Sequence, residues 1–108
     1  MTENALSRAI ADRGAAVGCM LFEFDTPRVM RLLAAAGADF ALFDLEHTAW
    51  DVESLRHVYA AGRGTGVHPI TRVVRAEYTH VAPALDAGAR GIMPQKGDPL
   101  QCDRVWQS

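Results

Sequence analysis

The chain has 108 residues, 49% of them hydrophobic, with 11 basic and 13 acidic side chains and a formal net charge of −2. That is one small domain with enough apolar material for a core, and its slightly acidic balance argues against nucleic acid, which needs clustered Lys and Arg. No apolar run approaches the ~18 to 20 residues of a membrane span. Cys19 and Cys102 form neither a metal pattern nor a disulfide framework, so a reduced, cytoplasmic setting is expected.

The opening stretch, MTENALSRAIADRG, lacks the basic lead and apolar h-region of a signal peptide. Its Ala5, Leu6, Ala9 and Ile10 fall at helical spacing and predict a short amphipathic helix. The apolar run at 16–23, AVGCMLFE, reads as a first strand. In PRVMRLLAAAG, Val29, Leu32, Leu33 and Ala36 share a helical face, with Pro27 suited to a first turn and Gly37 to a stop. FALFDL is the second strand.

The next helix is predicted from DVESLRHVYAAG. Val52, Leu55, Val58 and Tyr59 form its apolar stripe, Asp51 is its N-cap, and Gly62 lies just past its end. HPITRVV reads as the third strand, with His68 in the loop before Pro69. THVAPALDAGA reads as a third crossover helix that must start near Thr79 or His80, because Pro83 is tolerated only near a first turn. GIM begins a fourth strand.

Strands apolar on both faces and joined by helices imply a parallel sheet covered by helices. An open doubly wound sheet and part of a (β/α)8 barrel both fit this α/β pattern. A full barrel needs about 250 residues. As a barrel, the chain supplies the first three to four βα units, leaving open sheet edges that invite self-association or a complementary half.

Ligands of parallel α/β folds gather at the carboxyl ends of the strands. Asp44, Glu46 and His47 occupy such an end. Alternation puts Phe40, Leu42 and Asp44 on one face. His47, with an ordinary pKa near ~6.5, suits proton transfer at neutral pH, and a neighbouring carboxylate would fix its tautomer. The alternative is that Asp44 or Glu46 caps a turn and His47 is a solvated loop residue.

Arg72 shares a face with Ile70 and Val74 inside the third strand, and a buried guanidinium there requires an anionic partner. An ion pair with Asp44 is one reading. Binding of a substrate carboxylate or enolate oxygen is the other, and the two are compatible. Arg75 reads as a surface charge and Trp50 as a packing residue. His57, His68 and His80 show no metal-ligand spacing to one another. The GRGTG run at 62–66 follows a helix and precedes a strand, the reverse of a phosphate cradle.

AAAGADFALFDLEHTAWDVESL, followed by HPITRVV and ALDAGARGIM, resembles the N-terminal part of the HpcH/HpaI aldolase/citrate lyase family over roughly residues 14 to 93. The resemblance is most specific at the Asp-Leu-Glu-His segment. It implies a TIM-barrel carbon–carbon lyase of the divalent-metal (class II) 2-oxo-acid aldolase type, using Mg, Mn or Co. On that pattern His47 matches the acid/base histidine and Asp44 its associated acid. Arg72 matches the arginine that binds pyruvate and stabilises enolate charge.

Expected partners are a small 2-oxo acid and an aldehyde, with no nucleic acid or membrane, and a homo-oligomer at full length. The family's metal ligands come from later strands, and Asp98 and Asp103 do not match their context, so no metal ligand is assigned to this chain. Residues 1–93 are thus read as aldolase-like barrel. Residues 94–108 depart from the family as a divergent tail, attributed to truncation or a reading-frame shift. The isolated chain is expected to be inactive. A non-enzymatic half-barrel remnant or association domain is the alternative, and the CoA-ester lyase branch of the citrate lyase beta type a third.

Overall fold

Helices and strands alternate along the chain as α1 (Ala5–Arg13), β1 (Gly18–Leu21), α2 (Val29–Ala35), β2 (Phe40–Asp44), α3 (Val52–Ala61), β3 (His68–Arg72), α4 (Tyr78–Ala87) and β4 (Gly91–Met93). A two-residue strand, β5 (Trp106–Gln107), completes them. The computed structural model describes residues 5–45, 48, 50–75, 77–94 and 106–107. Strands β1 to β4 are parallel and adjacent in chain order. This is the α/β arrangement of a partial (β/α)8 barrel.

Two of the crossover helices carry clear local signals. Asp51 caps α3, its Oδ1 accepting the Ser54 backbone N–H at 2.8 Å, and Gly62 follows the last turn. Gly88 ends α4 at φ +122, a left-handed conformation that favours glycine. Leu55, Val58 and Tyr59 of α3 are buried as the stripe predicts. Gly62 also permits close helix packing, since a Cβ there would come within 2.8 Å of the Met30 side chain.

The buried face of α2 differs from expectation. Val29 and Met30 are buried and Leu33 and Ala34 pack on the core, whereas Leu32 is 69% exposed. The helix is rotated so that Met30, not Leu32, meets Gly62 of the α3 end. Ile10 of α1 is likewise exposed while Ala9 is buried.

The helix α4 begins at Tyr78, next to the expected start near Thr79 or His80, and Pro83 falls inside it. A prolyl nitrogen cannot donate to the carbonyl one turn back, so α4 forms with one ladder bond fewer.

Strand parity divides the sheet into two faces. Ala41, Phe43, Thr71 and Ile92 face the helices and are fully buried. Phe43 meets Tyr59 edge-on at 5.4 Å between ring centroids and Trp50 at 6.1 Å, which gives Trp50 its packing role. The Tyr59 hydroxyl and Thr71 Oγ1 are hydrogen-bonded at 2.5 Å, satisfying two buried polar groups. At the N-terminal ends, Arg13 of α1 bonds the Asp39 carboxylate, which also accepts the Val17 N–H at 2.9 Å.

The sheet is open, ending at β1 on one side and, on the other, at the two-residue β5 rather than at β4. The outer side of β4 carries β5, antiparallel, with Ile92 opposite Trp106. Residues 106–107, in the stretch read as a divergent tail, thus belong to the same sheet. At the other end, β1 is the terminal strand, with Gly18, Cys19 and Met20 exposed.

Candidate functional site

The last residues of β2 and β3 are register partners, Asp44 opposite Arg72. Both side chains project from the face that the helices do not cover. Arg72 Nη2 donates to Asp44 Oδ2 at 2.7 Å. Asp44 is fully buried and the Arg72 side chain is 18% exposed. The pair therefore sits at the carboxyl rim of the sheet, with one partner enclosed and the other reaching outward.

Local structure fixes this rim. The Leu45 N–H donates to the Arg72 carbonyl at 3.0 Å, and the Val73 N–H to that of Met93 at 3.1 Å. These bonds carry the ladder one step past the strand ends. Thr48 Oγ1 donates to the Asp44 carbonyl at 2.5 Å and accepts the Trp50 N–H at 3.3 Å. The loop after β2 is thereby folded back onto the residue that holds Arg72.

Below the ion pair, Leu42 and Ile70 form an apolar rung, and Phe40 and His68 form the next. The pairing of Asp44 with Arg72 was one of the two readings of Arg72, and the structure brings these residues together. His47 and Glu46 lie outside the described residues, as do Asp98, Cys102 and Asp103. Arg75 is 68% exposed and faces Glu77 at 3.8 Å. His57 is exposed beside Glu53 at 3.9 Å.

His68 departs from its expected loop. It is the first residue of β3 and only 2% exposed, because Pro69 is accommodated within the strand. The signal was present in the sequence: His68, Ile70 and Arg72 are two apart and share a face. Pro69 masked it by reading as a loop residue, yet its carbonyl still accepts the Arg90 N–H at 2.8 Å.

Among the described residues, no three His, Cys, Asp or Glu side chains come together as a metal-binding group. Asp44, the carboxylate at the rim, is engaged by Arg72. The described residues therefore do not fit a divalent metal by themselves. No helix among them is long and apolar enough to cross a membrane.

Parallel β/α units with a buried acid–guanidinium pair at the carboxyl rim define a portion of a barrel of the kind that carries enzyme sites at that rim. No family model matches the chain. A hydroxypyruvate/pyruvate aldolase of Cupriavidus necator is 33% identical over 102 residues, covering 94% of this chain and 38% of that protein. The HpcH/HpaI aldolase of Desulfitobacterium hafniense superposes with a TM-score of 0.75 at 31% identity, over 82% of this chain and 34% of that one. The citrate synthase SbnG superposes at 0.67 with 30% identity, over 82% and 36%. The chain is related in sequence and fold to the HpcH/HpaI aldolase family and corresponds to the N-terminal part of such proteins. It spans little more than a third of the length of these relatives.

Proposed function

We propose that the chain carries one wall of a 2-oxo-acid aldolase site, with Arg72 as the anion-binding group, Asp44 as its positioning partner and His47 as the acid/base residue. The observation that carries this reading is the Asp44–Arg72 pair at the strand ends. Cleavage next to a 2-oxo acid requires removal of a hydroxyl proton from the aldol carbon. The carbon–carbon bond then breaks, its electrons pass into an enolate, and an aldehyde leaves. Fixed positive charge beside the developing enolate lowers that barrier. A guanidinium suits the task because its planar fork matches a carboxylate and an enolate oxygen.

Asp44 holds the guanidinium from within the sheet, so its approach to a ligand is set in advance. His47 follows β2 by three residues in the sequence, and its role is that of proton acceptor from the substrate hydroxyl. A divalent metal, as class II enzymes use, would polarise the 2-oxo group. Its ligands would come from segments other than those described. The reaction is proposed for this wall when the remainder of a barrel completes it. A 2-oxo acid, an aldehyde and further copies of the protein are then the partners.

The test is pyruvate binding to the full chain, followed by calorimetry and amide chemical shifts. Saturable binding that disappears in Arg72→Met, with the amide spectrum still dispersed, supports the reading. Binding that persists unchanged in that variant overturns Arg72 as the anion-binding group. Metal-dependent aldol cleavage by residues 1–108 alone, abolished by His47→Ala, would overturn the need for the rest of a barrel. A second reading, a non-enzymatic association domain, draws on the burial of Asp44 opposite Arg72. It predicts that Arg72→Met lowers stability while pyruvate binding is absent from the parent chain as well.

A further inference from the structure

The opposite ends of β3 and β4 hold a cleft of about 390 Å³ between the C-terminal ends of α3 and α4. This volume lies in the range of small-molecule sites. Met30, Tyr59 and Leu85 contribute apolar lining and Arg63 and Arg90 contribute cations, while His68 borders the cleft at the start of β3. Both arginines are exposed and His68 is buried, so the charges lie toward solvent and the imidazole toward the interior.

The charge balance of this cleft favours an anion. Each helix C-terminus contributes about half a negative charge. Two guanidinium groups exceed that sum, and among the described residues neither forms an ion pair. The loop at 62–66 follows a helix, so no helix N-terminus aids binding there. The attraction must come from the side chains.

His68 is placed differently: its ring shares the face of Ile70, with Nε2 3.7 Å from where a Cβ on Gly91 would stand. Both ring nitrogens are enclosed, so neither opens onto the cleft. Burial first, and then the charge of Arg90, push its pKa down, against a smaller opposing effect of the Arg90 backbone. The ring is neutral at pH 7 and has one N–H to donate. The Arg90 backbone is the acceptor that faces this N–H.

We propose that this cleft binds a small organic carboxylate with an apolar body, its carboxylate held by Arg63 and Arg90 and its body against Met30, Tyr59 and Leu85. Inorganic phosphate would meet the cations but gain nothing from the apolar lining. This site lies four residues along β3 from Arg72, about 13 Å at strand rise, and does not depend on the function proposed for the rim.

The experiment uses the full chain labelled with 15N, titrated separately with benzoate, its neutral isostere benzamide, and inorganic phosphate. Benzoate is expected to shift the amides of Gly64, Gly66, Val67, Gly88 and Ala89 saturably. Arg63→Gln and Arg90→Gln are each expected to weaken that binding about three- to tenfold. Both positions are exposed, and retained spectral dispersion shows that the variants fold. Absence of saturable shifts at these amides overturns the proposal, as does equal binding by the Arg63→Gln/Arg90→Gln double variant. Benzamide binding as tightly as benzoate removes the carboxylate from the assignment, and phosphate matching benzoate removes the apolar body. Either result overturns the ligand class.

Discussion

Removing the Asp44 carboxylate isolates what the rim ion pair contributes. Charge centres about 4 Å apart attract by roughly 4 kcal/mol at an effective dielectric near 20. Desolvation of both groups offsets much of this attraction, so the intact pair is worth far less than that figure. Truncating one partner is different, because the remaining buried charge loses a counter-charge in direct contact, at a typical cost of about 3 to 5 kcal/mol. Arg72 retains 18% exposure and can draw some solvation, which places Asp44→Ala near the lower end, at about 3 kcal/mol. A domain of this size would lose on the order of 15 °C in Tm.

Urea denaturation followed by far-UV circular dichroism measures the change. The double variant Asp44→Leu/Arg72→Met should recover most of it, since an apolar pair replaces the charges without leaving one buried. With Asp44→Leu as the matching single variant, Asp44→Leu and Arg72→Met should together cost more than the double variant by a coupling energy above about 1 kcal/mol. An Asp44→Ala cost below about 1 kcal/mol, or strict additivity across the cycle, would refute the account of a mutually dependent pair.

Tyr59→Phe removes the hydroxyl bonded to Thr71 and leaves Thr71 Oγ1 buried without that partner. A loss of about 1 to 2 kcal/mol in the same denaturation assay is expected, and Tyr59→Phe/Thr71→Val should restore part of it. Asp51→Ala deletes the α3 cap and should cost about 1 kcal/mol, with Asp51→Ser nearly neutral. For pH dependence, His68 is the group to follow, since its folded pKa lies below its unfolded value near ~6.5. The unfolded chain then binds the proton first, so His68 makes stability fall as pH drops below about 6.5 and until the folded pKa is reached. His68→Gln should flatten that slope in urea midpoints measured between about pH 7 and pH 5.

What the sequence made legible follows the physics of each element. The α3 helix was readable because cap, stripe and terminal glycine agree, and the Asp44–Arg72 pair because strand parity and strand order are enough to oppose two residues. The α2 face was not, since Val29 and Leu33 leave the adjoining flank undecided between Met30 and Leu32. Contact with Gly62 of a distant segment makes that choice. Proline misled at one position: Pro69 made His68 read as a loop residue, although it removes only one donor and the strand begins at His68. Nothing in a two-residue segment marks Trp106 and Gln107 as a strand. Its partner β4 supplies the pairing.

The same parity that sets the rim also sets the far end of that face. His68, Ile70 and Arg72 alternate with Pro69 and Thr71, so one register of β3 on β2 places an imidazole at one end of the face and a guanidinium at the other. A slip of one residue would turn all three toward the helices. Leu42 and Ile70 hold the middle as an apolar rung, so no chain of hydrogen bonds links the ends along this face. Over about 13 Å, with a Debye length near 8 Å at physiological salt, coupling between charges falls well below 1 kcal/mol. Arg63→Gln and Arg90→Gln should therefore leave pyruvate binding at Arg72 unchanged within about twofold. A larger change would mean that the two ends respond as one site through movement of β3 itself, which the register then makes the element to probe.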